Sequence, residues 1–309
     1  RELVDGERLA STQITAVIDP MFGSAKGLIG EVLDRYDVPY VEIRNGDNPG
    51  FEGGRPEPLE EHLHPLIEAV KRESEGNDEL LLGVATDGDG DRISSVAEDG
   101  SFIDAHRTYS LLLKYLAEVK GWKGKVVKNF PLTDLVFKLG EKHDLPVDET
   151  PVGFKYIAEK MIREDVLIGG EESGGIGLKN HIPDRDGILC ALFLLELVAE
   201  TGKNATQIID DMMDEHGGHY YHRNDIKLEA RKEVVQKAQE EPPSNIGRFK
   251  VKEVEDLDGI KLRFDEGWML LRASGTEPLL RIYCEMDEME KVHACLEEAE
   301  KYARELASS

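Results

Sequence analysis

The chain has 309 residues, a formal net charge of −25 and 40% hydrophobic residues, and its length allows about two or three domains with sizeable cores. The acidic balance argues against nucleic acid as a partner, because phosphate binding needs a basic stripe. No apolar stretch approaches the roughly 18 residues of a membrane span. We therefore expect a soluble globular protein without nucleic-acid or membrane partners.

The first predicted domain follows a short leading segment, residues 1–12, which we expect to be the end of a polar helix and a linker. Apolar runs with strand character then alternate with amphipathic segments in the order β-α-β-α-β, which predicts a parallel sheet. The predicted strands lie at 13–19, 38–43 and 80–85, the helices at 28–36, 59–73 and 105–119, and a hairpin at 93–97 and 102–103. These elements predict an α/β domain over residues 13–121.

The segment 122–216 repeats this order and predicts a second α/β domain. Its predicted strands lie at 125–130, 146–149 and 165–168, and its helices at 132–143, 154–164, 186–201 and 205–215. The longest apolar stretch of the chain, residues 188–199, contains Glu196 and indicates a buried core helix. The repetition is one of architecture, without a residue-level repeat.

The last predicted domain, residues 217–309, has strands joined by short glycine turns, which predicts an antiparallel sheet. Its predicted strands lie at 220–228, 251–256, 259–264, 268–273 and 281–286, and its helices at 229–240 and 288–307. The predicted fold class is therefore α/β, with two consecutive β-α-β-type three-layer domains followed by a smaller α+β C-terminal domain with an antiparallel sheet.

Three cysteines, Cys190, Cys284 and Cys295, are widely separated along the chain. Their odd number and their spacing fit neither a disulfide framework nor a zinc site. We therefore expect free thiols in a reducing compartment. Because no signal or transit peptide is visible, we expect a cytoplasmic location.

The most informative segment is the turn after the third predicted strand. Asp87, Asp89 and Asp91 alternate there with Gly88 and Gly90. Three carboxylates this close repel one another, and the glycines free the backbone to curl so that all three face one point. An all-oxygen set suits a hard cation, Mg²⁺ before Mn²⁺ or Ca²⁺. The turn also lies at the carboxyl end of a strand, where open α/β sheets bind ligands.

Two other interpretations of this turn remain open. It could be a solvated acidic turn. It could also be an EF-hand loop, because Glu98 falls at the twelfth position of such a loop. Against the EF-hand, Arg92 occupies the sixth position, which requires glycine, and a strand precedes the run.

A second motif, RASGTEP, follows a strand near the end of the chain. Arg272 offers bidentate donors for phosphate. Ser274 and Thr276 offer hydroxyl groups, and Gly275 allows backbone N–H groups to approach an anion. These features predict a phosphate site, although a plain Ser-Gly turn with an exposed arginine has the same sequence.

A third motif, GGEESGG, follows the last strand of the second predicted domain. Glu171 and Ser173 lie two residues apart and could both face sugar hydroxyls. Lys155, near a helix N-terminus, could meet phosphate or could simply be solvated. His181 and Arg185 follow the glycine-rich segment, just before the next helix.

Taken together, these motifs resemble those of the α-D-phosphohexomutases. DGDGDR at 87–92 resembles the metal-binding loop of that family, GEESG at 170–174 its sugar-binding loop, and RASGTEP at 272–278 its phosphate-binding loop. They occur in the family's order. The resemblance covers the chain from about Ile14 to the end, as the second, third and fourth domains of the family.

The resemblance implies a role for each matching residue. Mg²⁺ would be bound by Asp87, Asp89 and Asp91. Arg92 would contact the phosphoserine region, and Lys155 is a candidate acid or base. The substrate-binding residues would be Glu171, Ser173, His181, Arg185, Arg272, Ser274, Gly275 and Thr276. The last four of these would hold the phosphate that does not react.

The implied activity is the interconversion of hexose 1-phosphate and 6-phosphate through hexose 1,6-bisphosphate and an enzyme phosphoserine. The Glu-Glu-Ser sequence of the middle loop is similar to phosphoglucomutases, whereas phosphomannomutases more often have Glu-Met-Ser and phosphoglucosamine mutases Glu-Gln-Ser. Glucose 1-phosphate and 6-phosphate are therefore the expected substrates. A phosphomannomutase or a dual-specificity mutase, acting also on mannose phosphate, is the alternative.

One departure from the family pattern concerns the phosphorylated serine, which the family carries in its first domain in a Thr/Ala-Ser-His-Asn-Pro-like loop. Ser11 lacks the flanking His and Asn. We therefore expect the chain to be the remainder of a longer mutase and to be inactive alone. The alternatives are a non-catalytic sugar-phosphate- or metal-binding protein, and an aspartyl-phosphate phosphatase with Asp87 as nucleophile, whose motif expects Thr or Val at the fifth position.

Overall fold

The computed structural model describes residues 3–77 and 79–308, so residues 1, 2 and 309 of the predicted terminal segments lie outside the described residues. The described chain forms two compact units. The first comprises the residues up to Glu149 together with Gly153–Met212, and the second comprises Thr150–Val152 together with the chain from Met213 onward.

The first sheet has the strand order β2-β1-β3-β4-β5. Its elements are α1 Gly6–Ser11, β1 Ile14–Asp19, α2 Leu28–Asp34, β2 Tyr40–Glu42, α3 His64–Ser74, β3 Leu80–Thr86, β4 Ile93–Ala97, β5 Phe102–Ile103 and α4 Ala105–Lys114. β1 runs parallel to β2 and β3, and β4 and β5 continue the sheet in antiparallel fashion. The predicted parallel core and hairpin are therefore confirmed.

Two predicted helices of this region differ from the structure. The helix predicted at 59–73 begins only at His64, after a 3₁₀ turn at Glu60–His62. Pro65 explains this start, because proline fits the first turn of a helix but not its interior. The helix predicted at 105–119 changes to a π-helical turn at Tyr115–Val119.

The second sheet has the order β7-β6-β8-β9. Its elements are β6 Lys125–Asn129, α5 Leu135–His143, β7 Val147–Thr150, α6 Phe154–Arg163, β8 Val166–Gly170, β9 Ile176–Leu178, α7 Gly187–Thr201 and α8 Ala205–His216. β6 and β8 are parallel, and β9 is antiparallel to β8. β9 was not predicted, because Gly175 and Gly177 interrupt the apolar pattern that marks a strand.

Helices α4 and α7 join the two sheets. α7 follows the second sheet in the chain but packs against β1, β3 and β4 of the first. α4 precedes the second sheet, and its Tyr109 hydroxyl lies 3.0 Å from the Val127 carbonyl oxygen and 3.3 Å from that of Ile168. One hydrophobic core therefore includes both sheets, and the predicted boundary between residues 121 and 122 falls inside the first unit.

The predicted core helix is confirmed in α7, where residues 189–199 are all buried. A helix that is apolar on all sides requires such burial. Among residues 3–77 and 79–308, no helix combines the length and the apolar character needed to cross a membrane. The three cysteines are free and buried.

The second unit contains the antiparallel sheet β10-β16-β15-β14-β13. Its elements are β10 Tyr220–Lys227, α9 Arg231–Glu240, β11 Asn245–Ile246, β12 Phe249–Lys250, β13 Glu253–Glu255, β14 Ile260–Arg263, β15 Gly267–Ala273, β16 Leu279–Met286 and α10 Met289–Ser308. Every strand pair of the sheet is antiparallel, as predicted, and α9 and α10 pack against it. The two-stranded ribbon β11-β12 was missed, because Pro242, Pro243 and Gly247 are typical of a loop.

Candidate active site

The aspartates of the turn after β3, here called the metal loop (residues 87–92), converge on one point. One carboxylate oxygen from each of Asp87, Asp89 and Asp91 lies within 4.8 Å of the others, so the three could hold a metal ion. Gly90 takes a positive φ of 79°, a conformation that glycine adopts without strain. A Cβ at Gly23 would lie 2.8 Å from the Asp87 carbonyl oxygen, so the loop after β1 packs directly behind the metal loop.

Hydrogen bonds and two arginines hold these carboxylates. Oδ1 of Asp87 accepts the backbone N–H groups of Asp91 and Arg92, both at 3.0 Å, and Oδ2 accepts Nε–H of Arg92 at 2.6 Å. Asp91 forms an ion pair with Arg185. Burial and the charges of Asp87 and Asp89 raise the pKa of Asp91 to about 6, although Arg185 opposes this shift. A divalent cation would relieve the remaining repulsion, and oxygen ligands of this kind suit Mg²⁺.

The EF-hand interpretation of this turn is wrong. The metal loop connects strands β3 and β4, whereas an EF-hand loop connects two helices. Glu98 accepts the backbone N–H of Thr206 at 3.5 Å and pairs with its hydroxyl, in the first turn of α8. A plain solvated turn does not fit either, because Asp87 is only 2% exposed.

The glycine-rich segment after β8, here called the sugar loop (residues 170–175), lies against the metal loop. Ile93 N–H donates to the Gly174 carbonyl at 3.0 Å, and Arg92 and Gly175 form an antiparallel bridge. A Cβ at Gly174 would lie 2.6 Å from the Ile93 carbonyl oxygen. The backbone of the two loops therefore meets too closely for a side chain at residue 174.

Within the sugar loop, Glu171 is buried and Ser173 is half-buried. Oε1 of Glu171 accepts the backbone N–H of Gly153 at 2.9 Å, just before α6. Burial, and after it the charge of Glu172, raises the pKa of Glu171. The carboxylate is thus placed at the carboxyl end of a central strand, where a ligand of an open α/β sheet would contact it.

The segment before α7 completes this part of the site. His181 Nε2 lies 2.7 Å from Oδ2 of Asp186, whose Oδ1 accepts the Leu189 N–H at 2.8 Å and caps α7. Gly187 N–H donates to the Gly90 carbonyl at 3.0 Å. The helix start therefore fixes both the orientation of the His181 ring and the position of the metal loop.

Lys155 lies in the first turn of α6 and is exposed. Its ammonium group lies 4.8 Å from the centroid of the Tyr156 ring. In the part of the chain that the structure describes, Lys155 has no ion-pair partner, so its charge is available to a ligand. Its assignment as an acid or base remains a prediction.

Sequence reasoning missed Asn129, the last residue of β6. Asn129 is buried, its Oδ1 accepts the Glu172 N–H at 3.3 Å, and its Nδ2 donates to Glu172 Oε2 at 2.5 Å. The side chain thereby joins the ends of β6 and β8 at the sugar loop. Its position at the carboxyl end of a buried strand, the same position that Asp87 has after β3, is the signal that could have identified it.

The predicted phosphate loop, residues 272–278, belongs to the second unit. Arg272 donates from Nε to Oδ2 of Asp258 at 3.0 Å, and the same oxygen accepts the Val152 N–H at 2.9 Å. Ser274 is only 2% exposed and accepts the Glu277 N–H at 3.2 Å, so its hydroxyl closes the turn.

The tip of this loop is open. Gly275 and Thr276 are exposed, and no atom lies within 4 Å of a Cβ built at Gly275. An anion could therefore reach the backbone N–H groups there. Sequence reasoning also missed Asp258, a single acidic residue in a turn, for which no motif gives a signal.

Three family models match the chain. They describe phosphoglucomutase/phosphomannomutase alpha/beta/alpha domain II over residues 1–100, alpha/beta/alpha domain III over 104–216, and the C-terminal domain over 226–301. The chain belongs to the phosphoglucomutase/phosphomannomutase family. The family models divide the first unit before α4, whereas the predicted boundary follows that helix.

Individual family members resemble the chain over most of its length. A phosphoglucomutase/phosphomannomutase of Thermococcus kodakarensis is 30% identical over 295 residues, which are 95% of this chain and 61% of that protein. A phosphoglucosamine mutase of Limosilactobacillus reuteri is 29% identical and covers 94% of this chain and 60% of that protein. The chain thus spans about three fifths of the length of these relatives.

A crystal structure of a candidate phosphomannomutase from Thermus thermophilus has a similar fold. It superposes with a TM-score of 0.84 at 35% sequence identity and covers 97% of this chain and 63% of that one. The α/β class and the antiparallel C-terminal sheet therefore agree with the architecture of the family.

Proposed function

We propose that this chain carries the metal-, sugar- and phosphate-binding parts of a phosphohexomutase, which interconverts hexose 1-phosphate and hexose 6-phosphate through hexose 1,6-bisphosphate. The observation that supports this most directly lies in the first unit. Asp87, Asp89 and Asp91 converge beside a loop that presents the buried carboxylate of Glu171. Family membership and the separate phosphate loop of the second unit add to it.

Mg²⁺ bound by the three aspartates would neutralise charge on a phosphoryl group passing between an enzyme phosphoserine and a sugar hydroxyl. Asp87 also orients Arg92, because its carboxylate accepts both the backbone N–H and the Nε–H of that residue. We assign Arg92 to the binding of the transferring phosphate.

Glu171 and Ser173 are assigned to the sugar hydroxyls. His181, whose ring is held by Asp186, is assigned to a substrate contact. Lys155 adds an exposed positive charge on the helix that follows Gly153. A pair of carboxylate and hydroxyl acceptors suits a hexose in either of two orientations, as a reversible mutase requires.

The non-reacting phosphate is assigned to the loop that contains Arg272, Ser274, Gly275 and Thr276. Its exposed tip presents backbone N–H groups without a side chain at Gly275. Such donors bind phosphate regardless of the sugar carbon that carries it. The loop can therefore hold the ester at C1 or at C6.

Glucose phosphate is the first proposed substrate, on the Glu-Glu-Ser sequence of the sugar loop. Mannose phosphate and glucosamine phosphate are the alternatives, because relatives carry mutase names that include those sugars. A cytoplasmic location belongs to the same proposal, which fits three free cysteines.

The phosphatase alternative is disfavoured by the geometry of Asp87. A nucleophilic carboxylate needs an oxygen free to attack, but Oδ2 of Asp87 is paired with Arg92 at 2.6 Å and Oδ1 accepts two backbone N–H groups. Phosphate trapped covalently on Asp87 would nevertheless restore that alternative.

Calorimetric titration of the chain with glucose 6-phosphate in the presence of Mg²⁺ tests the proposal. We expect binding in the wild type, a loss of at least roughly tenfold in Asp89→Asn and Arg272→Gln, and no change in Asp99→Asn, a carboxylate in the hairpin turn after β4. Equal affinities in all four proteins would refute the site. Glucose 6-phosphate formation from glucose 1-phosphate by the chain alone would contradict its expected inactivity and separate a mutase from a binding protein.

A further inference from the structure

Arg185 occupies a position between the metal loop and the sugar loop. Its guanidinium pairs with Asp91 and lies 5.6 Å from the centroid of the Phe154 ring. The stem of the side chain packs over Gly175, where a Cβ would lie 2.4 Å from Arg185 Cδ. The stem of Arg185 therefore contacts the sugar loop, and its guanidinium forms an ion pair with the metal loop.

This ion pair conflicts with metal binding at the same carboxylate. A divalent ion held by Asp91 would lie a few ångströms from the guanidinium, and the two positive charges repel. The cation also replaces the charge compensation that Arg185 gives to Asp91. The arginine and the metal are therefore alternative counter-ions of one side chain.

A second observation concerns the donor atoms of Arg185. Among residues 3–77 and 79–308, its Nε is buried and lacks a hydrogen-bond partner. Buried donors are nearly always paired, so an unpaired one indicates an absent acceptor. Because guanidinium groups bind phosphate and carboxylate oxygens through adjacent nitrogens, the missing acceptor is best explained as an oxygen of an anionic ligand.

We propose that Arg185 is the counter-ion of Asp91 in the metal-free protein, and that binding of a divalent cation releases its guanidinium to the anionic sugar ligand. This inference rests on the metal site of the proposed function. It makes Arg185 a substrate-binding residue whose partner depends on the metal, so that metal and sugar phosphate favour each other's binding. Reciprocal coupling of this kind follows from linkage.

Calorimetric titration with MgCl₂ alone tests the competition. We expect the dissociation constant for Mg²⁺ to fall about fivefold in Arg185→Gln, the upper effect of a partly exposed ion pair, and to stay near the wild-type value in Arg185→Lys, which keeps the charge. Arg163→Gln is the matched control, because Arg163 is exposed and pairs with Glu159 on the surface of α6. Arg185→Met, which keeps the apolar stem over Phe154, replaces the Gln variant if that variant does not fold.

Titration with glucose 6-phosphate, with and without Mg²⁺, tests the release. The gain in affinity that Mg²⁺ gives should be smaller in Arg185→Gln than in the wild type. If a folded Gln or Met variant binds Mg²⁺ no more tightly than the wild type, the proposed competition is wrong. If Mg²⁺ raises the affinity for glucose 6-phosphate equally in the variant and in the wild type, the proposed release is wrong. If the wild type binds no Mg²⁺ at all, the proposed metal site itself is wrong.

Discussion

Replacing Gly187 by alanine would test how closely helix α7 sits on the metal loop. A Cβ at residue 187 would lie 2.6 Å from the Arg92 carbonyl oxygen and 2.9 Å from that of Gly90. To restore van der Waals contact, the helix start and the loop must move apart by roughly 0.5 Å. The hydrogen bond from Gly187 N–H to the Gly90 carbonyl, now 3.0 Å long, would lengthen with that movement.

The expected magnitude follows from two opposing effects. Alanine favours a helix over glycine by about 1 kcal/mol, whereas overpacking costs about 1–3 kcal/mol. We expect the clash to win, because both contacts are with backbone atoms that cannot rotate away. A clash of about 2 kcal/mol, the middle of that range, leaves a net loss of about 1 kcal/mol, which would lower the thermal midpoint of the first unit by about 2–4 °C.

The same movement should weaken the metal site. Mg²⁺ requires near-ideal octahedral geometry, and disturbing the groups that support metal ligands typically costs roughly tenfold or more in affinity. Calorimetric titration with MgCl₂ and thermal unfolding followed by circular dichroism measure the two effects. Gly46→Ala is the control, because its Cβ would have no atom within 4 Å. A Gly187→Ala protein with wild-type Mg²⁺ affinity and thermal midpoint would refute the reasoning.

Three further predictions concern polar groups inside one unit or the other. Asn129→Ala removes both hydrogen bonds to Glu172, and we expect a roughly tenfold weaker affinity for glucose 6-phosphate by calorimetry. Asp258→Ala removes the one oxygen that accepts both the Arg272 and the Val152 donors, so the thermal midpoint of the second unit should fall with a loss of about 1–3 kcal/mol. Burial raises the pKa of Glu196 from 4.5 to about 8. Its contribution to stability is therefore fully present below pH 4.5 and is lost as the pH rises through about 8. Glu196→Gln should therefore flatten the pH dependence of the thermal midpoint of the first unit across that range.

Each of these predictions has a contrary outcome. Asn245→Ala alters an exposed amide, and an equal effect on sugar-phosphate affinity in both alanine variants would show that Asn129 has no special role. An unchanged midpoint in Asp258→Ala would mean that its hydrogen bonds contribute little. For Glu196, a pH dependence as steep in the glutamine variant as in the wild type would assign the effect to other groups.

Local patterns predicted most of the fold. The apolar run before Asp87 is a buried strand, and a chain that alternates strands with helices has few arrangements other than a parallel sheet. Turn residues identified the antiparallel strands of the second unit. The pattern failed where glycine replaced apolar residues, as in β9, and where Pro242 and Pro243 concealed a short ribbon.

The site was less predictable because its contacts are long-range. Asp87, Asp89 and Asp91 are close in sequence, so their convergence could be anticipated from the glycines between them. The pairing of Asp91 with Arg185, by contrast, depends on how α7 enters the fold. Likewise, Asn129 is one polar residue without a motif, and its contact with Glu172 appears only when β6 and β8 are neighbours.

The placement of α7 has a consequence for synthesis of the chain. This helix ends at Thr201, yet it covers strands that are complete by residue 97. In a nascent chain that has emerged only as far as the start of the second sheet, the apolar side of β1 and β3 is exposed, because α7 has not yet been synthesised. The first sheet should therefore resist proteolysis only after Thr201 has left the ribosome, roughly a hundred residues after the end of β4. A fragment that stops at residue 121 should aggregate.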